Sequence, residues 1–434
     1  MTAEIAIMNA QAVALAADSA VTFGSKVKNT ANKIFALSKF EPIAAMIYNN
    51  ADFLGLPWET VVKAHRTDLS RKSFPTVRHY AANFFEYLKN ERLIARATHN
   101  PRRMTEFVEN EFRVIREAAM KLVEAEIASA GTVSESRIAQ FLQESLKDRK
   151  KRRHDSAPKI GAAVSATVSN SLLERIVREV FDKLPLKAIT RRGLKAHAHY
   201  LVRTFPVAPP SGFVVAGFGR DELYPSLESY SVYSFADDSF VAVRDDRSFH
   251  ITVEESVYVV PFAQSEVVAT FMDGVDPRYQ HLIEGLIATI LREYPSKILD
   301  QVTSLSATER GSLISRFEIS GSQVATEYLK RLEEIRGQMF SGPITAVVQS
   351  LPKDELAAMA ESLVNLTSFK RKVSLDQETV GGPIDVAVIS KGDGLIWIKR
   401  KHYFEPKYNP QFFDLYYWME RYGQQEKSET EPSL

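Results

Sequence analysis

Thr2 stands directly behind Met1, and its small side chain is of the kind a methionine aminopeptidase accepts, so Thr2 is expected to become a free N-terminus. A threonine so placed carries a hydroxyl nucleophile and an α-amine of ordinary pKa, about 7.7–8, in one residue. Combining nucleophile and base in this way is a known route to activating a weak hydroxyl. Ile5 and Ile7 alternate with small or polar neighbours, Ala12-Val-Ala-Leu-Ala16 is a short apolar run, and Asn9-Ala-Gln11 separates the two. This pattern predicts a β-hairpin with a small turn. Asp18 ends the second strand at a length that returns it beside the start of the first.

Other properties bound the chemistry. The 434 residues are enough for two or three domains. A hydrophobic fraction of 45% with 25% charged residues is that of an ordinary globular chain. A net charge of +1 gives no general attraction to nucleic acid or to a membrane surface. The absence of cysteine excludes disulfides, thiol catalysis and thiolate metal sites. No apolar run reaches the eighteen or so residues needed to span a bilayer, and the cytoplasm is the expected location. Ala-Leu-Ala-Ala could pass for a signal-peptide cleavage site, but there is no basic segment before it, Glu4 is acidic, and Asn9 and Gln11 interrupt the apolar core. His65, His79, His99 and His154 have no metal-ligand spacing, so no metal and no cofactor are expected.

Ala-Leu-Ala-Ala-Asp-Ser at 14–19, followed by Val21-Thr22 and Asn32-Lys33-Ile34, resembles the N-terminus of a mature proteasome β subunit. It is similar also to the related bacterial heat-shock peptidase that works with an ATP-driven unfoldase and begins Met-Thr. The resemblance places the catalytic threonine at Thr2, a buried aspartate at Asp18 and a lysine at Lys33, with the intervening turn one residue short. It implies that Lys33 lowers the pKa of the amine and that Asp18 holds Lys33. Strands at 33–38 and 43–48 lead to Asn49-Asn-Ala-Asp52, where the family has a glycine-containing turn whose backbone N–H faces the oxyanion. The matching position here is Tyr48 or Asn49, without glycine.

From 57 to about 199 the periodicity is helical, with segments at 77–93, 103–130 and 134–147 and N-caps at Thr132 and Ser134. The basic run Lys147-Asp-Arg-Lys-Lys-Arg-Arg-His154 could meet phosphate or RNA. It lacks interleaved aromatics, and a solvated helix end or loop is the favoured account. Strand patterns resume at 211–219, 223–227, 230–233 and 241–243. Ser265, after the 258–262 strand, is nearest to the serine with which the family supports its nucleophile's amine; an N-cap role explains it equally well. Helices are expected at 278–294, 308–317, 323–339 and 353–367. Asp376 and Thr379 then match the family's Asp-x-x-Ser turn, which orients the amine, with Gly381-Gly382 beside them. A hairpin follows at 384–398. Lys399-Arg-Lys-His402 reads as exposed, and 424–434 as a polar, disordered tail.

The fold expected from the resemblance is α+β, a four-layer αββα N-terminal nucleophile hydrolase sandwich with large helical insertions. Residues 1–56, 206–280 and 351–410 would form its core, 57–205 a helical insertion and 281–350 an extended helical layer. The implied activity is threonine-type peptide hydrolysis through an acyl-enzyme, with peptide or unfolded protein as substrate, a homo-oligomer as assembly and an unfoldase as partner. The alternatives are a small-amide hydrolase of the same kind and a non-catalytic assembly subunit. No membrane contact is expected, and nucleic acid is disfavoured.

Overall fold

The computed structural model describes residues 3–23, 26–160, 166–374, 381–411 and 413. Its opening hairpin joins β1 (Glu4–Met8) to β2 (Val13–Ala17), with Glu4 opposite Ala17 and Met8 opposite Val13. Asn9 makes the reversal: its Oδ1 accepts the N–H of Gln11 at 2.9 Å and of Ala12 at 3.3 Å, the way an Asx turn folds a chain back. There follow β3 (Val21–Phe23), β4 (Lys26–Lys28), β5 (Ile34–Ala36), β6 (Ile43–Asn49), β7 (Asp52–Phe53) and β8 (Leu56–Pro57). Seven helices come next: α1 (Trp58–Leu69), α2 (Val77–Asn90), α3 (Arg92–Thr98), α4 (Arg103–Ala130), α5 (Glu135–Asp155), α6 (Asn170–Val180) and α7 (Ala188–Thr204). The strands resume with β9 (Ser211–Gly217), β10 (Ser226–Ser234), β11 (Phe240–Arg244), β12 (Phe249–His250) and β13 (Tyr258–Pro261). The chain continues through α8 (Glu266–Asp273), α9 (Pro277–Leu299), α10 (Ala307–Arg336), α11 (Gly342–Ser350) and α12 (Lys353–Val373) to β14 (Asp385–Ser390) and β15 (Gly394–Lys399).

The molecule is a mixed α+β structure with antiparallel sheets. One sheet has the order β13-β1-β2-β14-β15; the other runs β11-β10-β9-β6-β5, with β12 paired to β10. Side chains on a strand alternate between its two faces, and the first hairpin uses both. Ala6, Met8, Val13 and Leu15 meet Ala44, Met46, Val214 and Ala216 of the other sheet. Ile5, Ile7, Ala14 and Ala16 turn outward onto Leu356, Ala360 and Leu363 of α12. The opposite sheet buries Ile43, Ala45, Phe213 and Val215 against Trp58 of α1 and Tyr80 and Phe84 of α2. Helices thus cover the outer face of each sheet. The small side chains of β2 suit its place at the middle of one sheet, covered on both faces.

Helices α4 to α7 enclose a separate core that includes Phe112, Leu142, Leu173 and Leu194. At its edge Glu111, 4% exposed, accepts paired N–H groups from Arg149 (both 2.8 Å) and Arg153 (3.2 and 2.6 Å), and His197 Nε2 lies 3.1 Å away. Burial alone would push this carboxyl up, but the bonds from His197, Arg149 and Arg153 prevail and hold it well below the usual carboxylate range. The basic run is therefore only partly a solvated helix end: Arg149 and Arg153, one helical turn apart, are spent on a buried carboxylate. Ser134 caps α5, accepting the Arg137 N–H at 3.3 Å.

Two further readings change. The helices expected at 308–317 and 323–339 are one continuous α10. Gly321 does not break it, because that position lies against α9, where a Cβ would come within 2.7 Å of the Leu291 carbonyl oxygen. Lys401, expected to be exposed, is folded inward: its Nζ lies 2.5 Å from Asp385 Oδ2, and its N–H donates to Asp385 Oδ1 at 2.8 Å. Among the described residues no helix is long and apolar enough to cross a membrane.

Candidate active site

The register of the first hairpin carries Asp18 to a place beside Ala3. The Asp18 N–H donates to the Ala3 carbonyl at 3.1 Å, and the Ala3 N–H returns a bond to Asp18 Oδ1 at 3.1 Å. Asp18 Oδ2 accepts the Gly381 N–H at 2.9 Å and the Ala20 N–H at 3.4 Å. The Ser19 N–H donates to the Gly381 carbonyl at 3.2 Å, closing the connection to the segment before β14. Gly382 has φ +80, and a Cβ there would lie 2.8 Å from Asn29 Cβ, so the turn needs glycine on both counts.

Lys33 enters from the other sheet. Its carbonyl accepts the Ile47 N–H at 2.9 Å, extending the β5–β6 pairing by one residue. Its side chain is buried with Nζ against Asp18 Oδ1 and 2.9 Å from Glu4 Oε1; the three side chains are 3%, 0% and 0% exposed. A cation from one sheet is thus held by two carboxylates from the other. Asp385 and Lys401 make a second pair close by. Burial lowers the Lys401 pKa, Asp385 opposes this, and the charges of Lys33 and Asp18 are near enough to act on it in opposite senses.

The end of β6 supplies another wall. Asn49 has φ +64, the left-handed region where glycine is the usual occupant and asparagine the best tolerated alternative. It lies two residues beyond the strand neighbour of Lys33, and its side chain is exposed. Tyr48, just before it, receives a bond from Arg247 Nη2 at 2.8 Å, while Arg247 Nη1 donates to the Phe262 carbonyl at 2.7 Å. Burial raises the Tyr48 pKa, and Glu4 contributes in the same direction. The Phe262 N–H donates to the Glu4 carbonyl at 3.0 Å, so β13 is tied to the same corner.

Of the residues singled out by sequence, Asp18 and Lys33 are brought into direct contact, and Asn49 ends the strand next to Lys33. Ser265 occupies the N-cap position of α8 but makes no side-chain cap bond. Thr2, Asp376 and Thr379 lie outside the described residues. Sequence reasoning missed Glu4, Asp385 and Lys401. Glu4 was discoverable, because alternation puts it on the same face of β1 as Ala6 and Met8, which point between the sheets. Chemically, the arrangement fixes the backbone at Ala3 and sets a buried lysine and two carboxylates around the start of β1.

No family model matches the chain, and no curated relative matches it. Solved structures similar to it include Anbu (ancestral beta-subunit) from Yersinia bercovieri, at 10% identity and TM-score 0.28, covering 100% of this chain and 98% of that one. The Anbu complex from Pseudomonas aeruginosa, described as a helical assembly, gives 11% and 0.30 over 100% and 98%. An Anbu (Gly-1) mutant from Hyphomicrobium sp. strain MC1 gives 8% and 0.28 over the whole of both chains. Scores this low carry no argument about activity. They do correct the assignment drawn from the N-terminal motifs: the neighbours are Anbu proteins, distinct from the proteasome β subunit and the heat-shock peptidase, and that membership is not supported.

Proposed function

We propose that this chain is an N-terminal nucleophile hydrolase of amide bonds, with Thr2, freed of Met1, as the nucleophile and peptides as the substrate class. The observation that carries the reading is the buried Asp18–Lys33–Glu4 group at the start of β1, with the Ala3 N–H on Asp18. A buried lysine held between two buried carboxylates is costly to maintain for packing alone. On this reading Thr2 Oγ attacks the carbonyl carbon while its α-amine takes the hydroxyl proton, directly or through a water. The C–N bond then breaks, the amine product leaves with that proton, and water cleaves the resulting ester.

Asp18 and Glu4 hold Lys33 charged and placed. The lysine charge lowers the amine's pKa, and Glu4 works against it, so a balance of one cation and two anions sets the base strength. The backbone N–H at Asn49 would face the oxyanion, while Asp376, Thr379 and Ser265 would orient the amine. Residues 1–56, 206–280 and 351–410 would then form the αββα hydrolase core, with α1 and α2 as its outer layer on one side. Those two helices come from 57–205; the rest of that segment, and 281–350, would be additions to the core.

Intact-mass measurement before and after incubation with a peptide epoxyketone tests this, because that reagent closes a ring on both the hydroxyl and the amine of an N-terminal threonine. The expected result is loss of Met1 and a single adduct that Thr2→Ala abolishes. Retained Met1, or processed protein that neither forms the adduct nor cleaves fluorogenic peptides, would overturn the proposal.

A further inference from the structure

Helices α9 and α10 form an antiparallel hairpin. Arg310 Nη1 lies 2.8 Å from Asp300 Oδ1 at the tip, Gly321 sits on Leu291 midway, and Gly274 lies against Phe340 at the base. For helices of 23 and 30 residues, burial is slight: only Leu299 and Ala325 fall among the buried residues of the two. Most of the apolar residues left outside follow one stripe on each helix. On α9 they are Tyr279, Leu282, Leu286, Ile290 and Tyr294, all about half exposed and spaced three or four apart. On α10 they are Phe317, Val324, Tyr328 and Ile335, continued by Met339 just beyond, at spacings of seven and four, while Ile319 faces the other side. Such spacings keep each set on one stripe of its helix.

The two stripes share a side of the hairpin. At about 100° per residue, the α9 stripe is centred roughly 120° from Leu291 and the α10 stripe roughly 30° from Gly321, in the same sense along each chain. Because the helices run antiparallel, offsets of the same sense come out on the same side. The result is a two-helix layer that carries both apolar stripes toward one side, with no further layer upon it among the described residues. Helical layers of this kind are stable when the apolar face is covered.

We propose that this face is a self-association surface, on which the α9–α10 hairpin of a second copy packs to complete a four-helix bundle. Two arguments favour a second copy. The ten side chains, each offering about 80 Å² still exposed, give roughly the 800 Å² that one partner contributes to an interface of standard size. The charges along the second half of α10 also balance: Glu327, Glu333 and Glu334 stand with Lys330, Arg331 and Arg336. A face with no charge bias does not repel its own copy, as a two-fold bundle requires. The surface is separate from the candidate active site and does not depend on the catalytic reading.

The test is sedimentation velocity of the full chain from 1 to 50 µM, beside the variant Ile290→Glu/Tyr328→Glu. Both positions are more than half exposed, so helical content by circular dichroism should not change. The expected result is a concentration-dependent dimer or larger species for the native chain. The variant should run as the 48.8 kDa monomer, with association weakened at least 100-fold. A fluorophore on Ile290→Cys, a unique thiol in this cysteine-free chain, should self-quench in the native assembly. A native chain that is monomeric throughout, or assembly unchanged in the variant, would overturn the proposal. So would protection of Cys-labelled position 290 in a monomer that is relieved by removing residues 414–434, since the chain's own tail would then be the occupant.

Discussion

Replacing Lys33 by Met keeps most of the stem volume and removes only the charge, which isolates the electrostatics of the buried group. Lys33 Nζ contacts Asp18 and lies 2.9 Å from Glu4, and both carboxylates are fully shielded from water. At an effective dielectric of 20, each attraction at about 4 Å is worth about 4 kcal/mol before desolvation is counted. Removing one partner of a buried pair costs about 3–5 kcal/mol, because the remaining charge has lost its compensation. Here two carboxylates lose it together. Asp18 keeps the N–H groups of Ala3, Gly381 and Ala20, which offset part of the penalty on its side.

The penalty is therefore pH-dependent. In the variant the two carboxylates lose the lysine charge that faces them, which raises their folded-state pKa above the unfolded value, so stability is lost as pH rises and regained as pH falls. Equilibrium urea unfolding should show Lys33→Met less stable by about 3–5 kcal/mol at pH 7, and by about 1–3 kcal/mol less than that at pH 5, since each pKa unit is about 1.4 kcal/mol. Adding Glu4→Gln should restore roughly half of the loss at pH 7. A Lys33→Met protein within about 1 kcal/mol of the parent at pH 7, the level of an exposed pair, or a loss independent of pH, would refute the reasoning.

Asn49 and His65 give two further tests. With φ at +64, Asn49→Val should cost about 1–2 kcal/mol in urea unfolding and slow epoxyketone labelling, while Asn49→Gly should change neither much; equal effects from the two would show that backbone conformation at 49 is unimportant. His65 is buried with Nε2 3.0 Å from Asn83 Oδ1, and burial holds its pKa below the ordinary 6.5. The unfolded chain therefore takes up a proton first, and stability should be level above pH 7 and fall as pH drops below 6.5. His65→Gln should flatten that decline between pH 7 and 5.5 in urea midpoints, and an unchanged slope would assign it to other groups.

What could be read from the sequence was mostly local. The first hairpin follows from alternation and from Asn9, and once it closes the position of Asp18 is determined. Lys33 came from motif similarity, and the structure supplies its physical reason: the residue before β5 faces the opposite sheet. Glu4 was passed over because a single acidic residue in a short strand reads as an exposed one, although its neighbours on the same face are apolar. Asp385 and Lys401 could not be paired by any short-range pattern, since a β-bulge between β14 and β15 and the turn after it set their meeting. The gap expected between 317 and 323 is helical in the structure: Gly321 costs about 1 kcal/mol by propensity, but its missing side chain allows the close approach to Leu291 of α9, which no local pattern shows. The same limit applies to the basic run of α5, whose periodicity gives no hint of Glu111 on a different helix.

The two oxygens of Asp18 answer to parts of the chain made at very different times. One binds Ala3, fifteen residues earlier, and the other binds Gly381, 363 residues later. At about 5–20 residues per second, synthesis of the intervening chain takes about 20–70 s. During that interval the N-terminal strand can find its hairpin partner but not the segment that completes the carboxylate's surroundings. A chain interrupted before Gly381 would have Asp18 and Lys33 in hand yet lack the second anchor. The surroundings of the protein's start are thus completed last, when nearly the whole chain has left the ribosome.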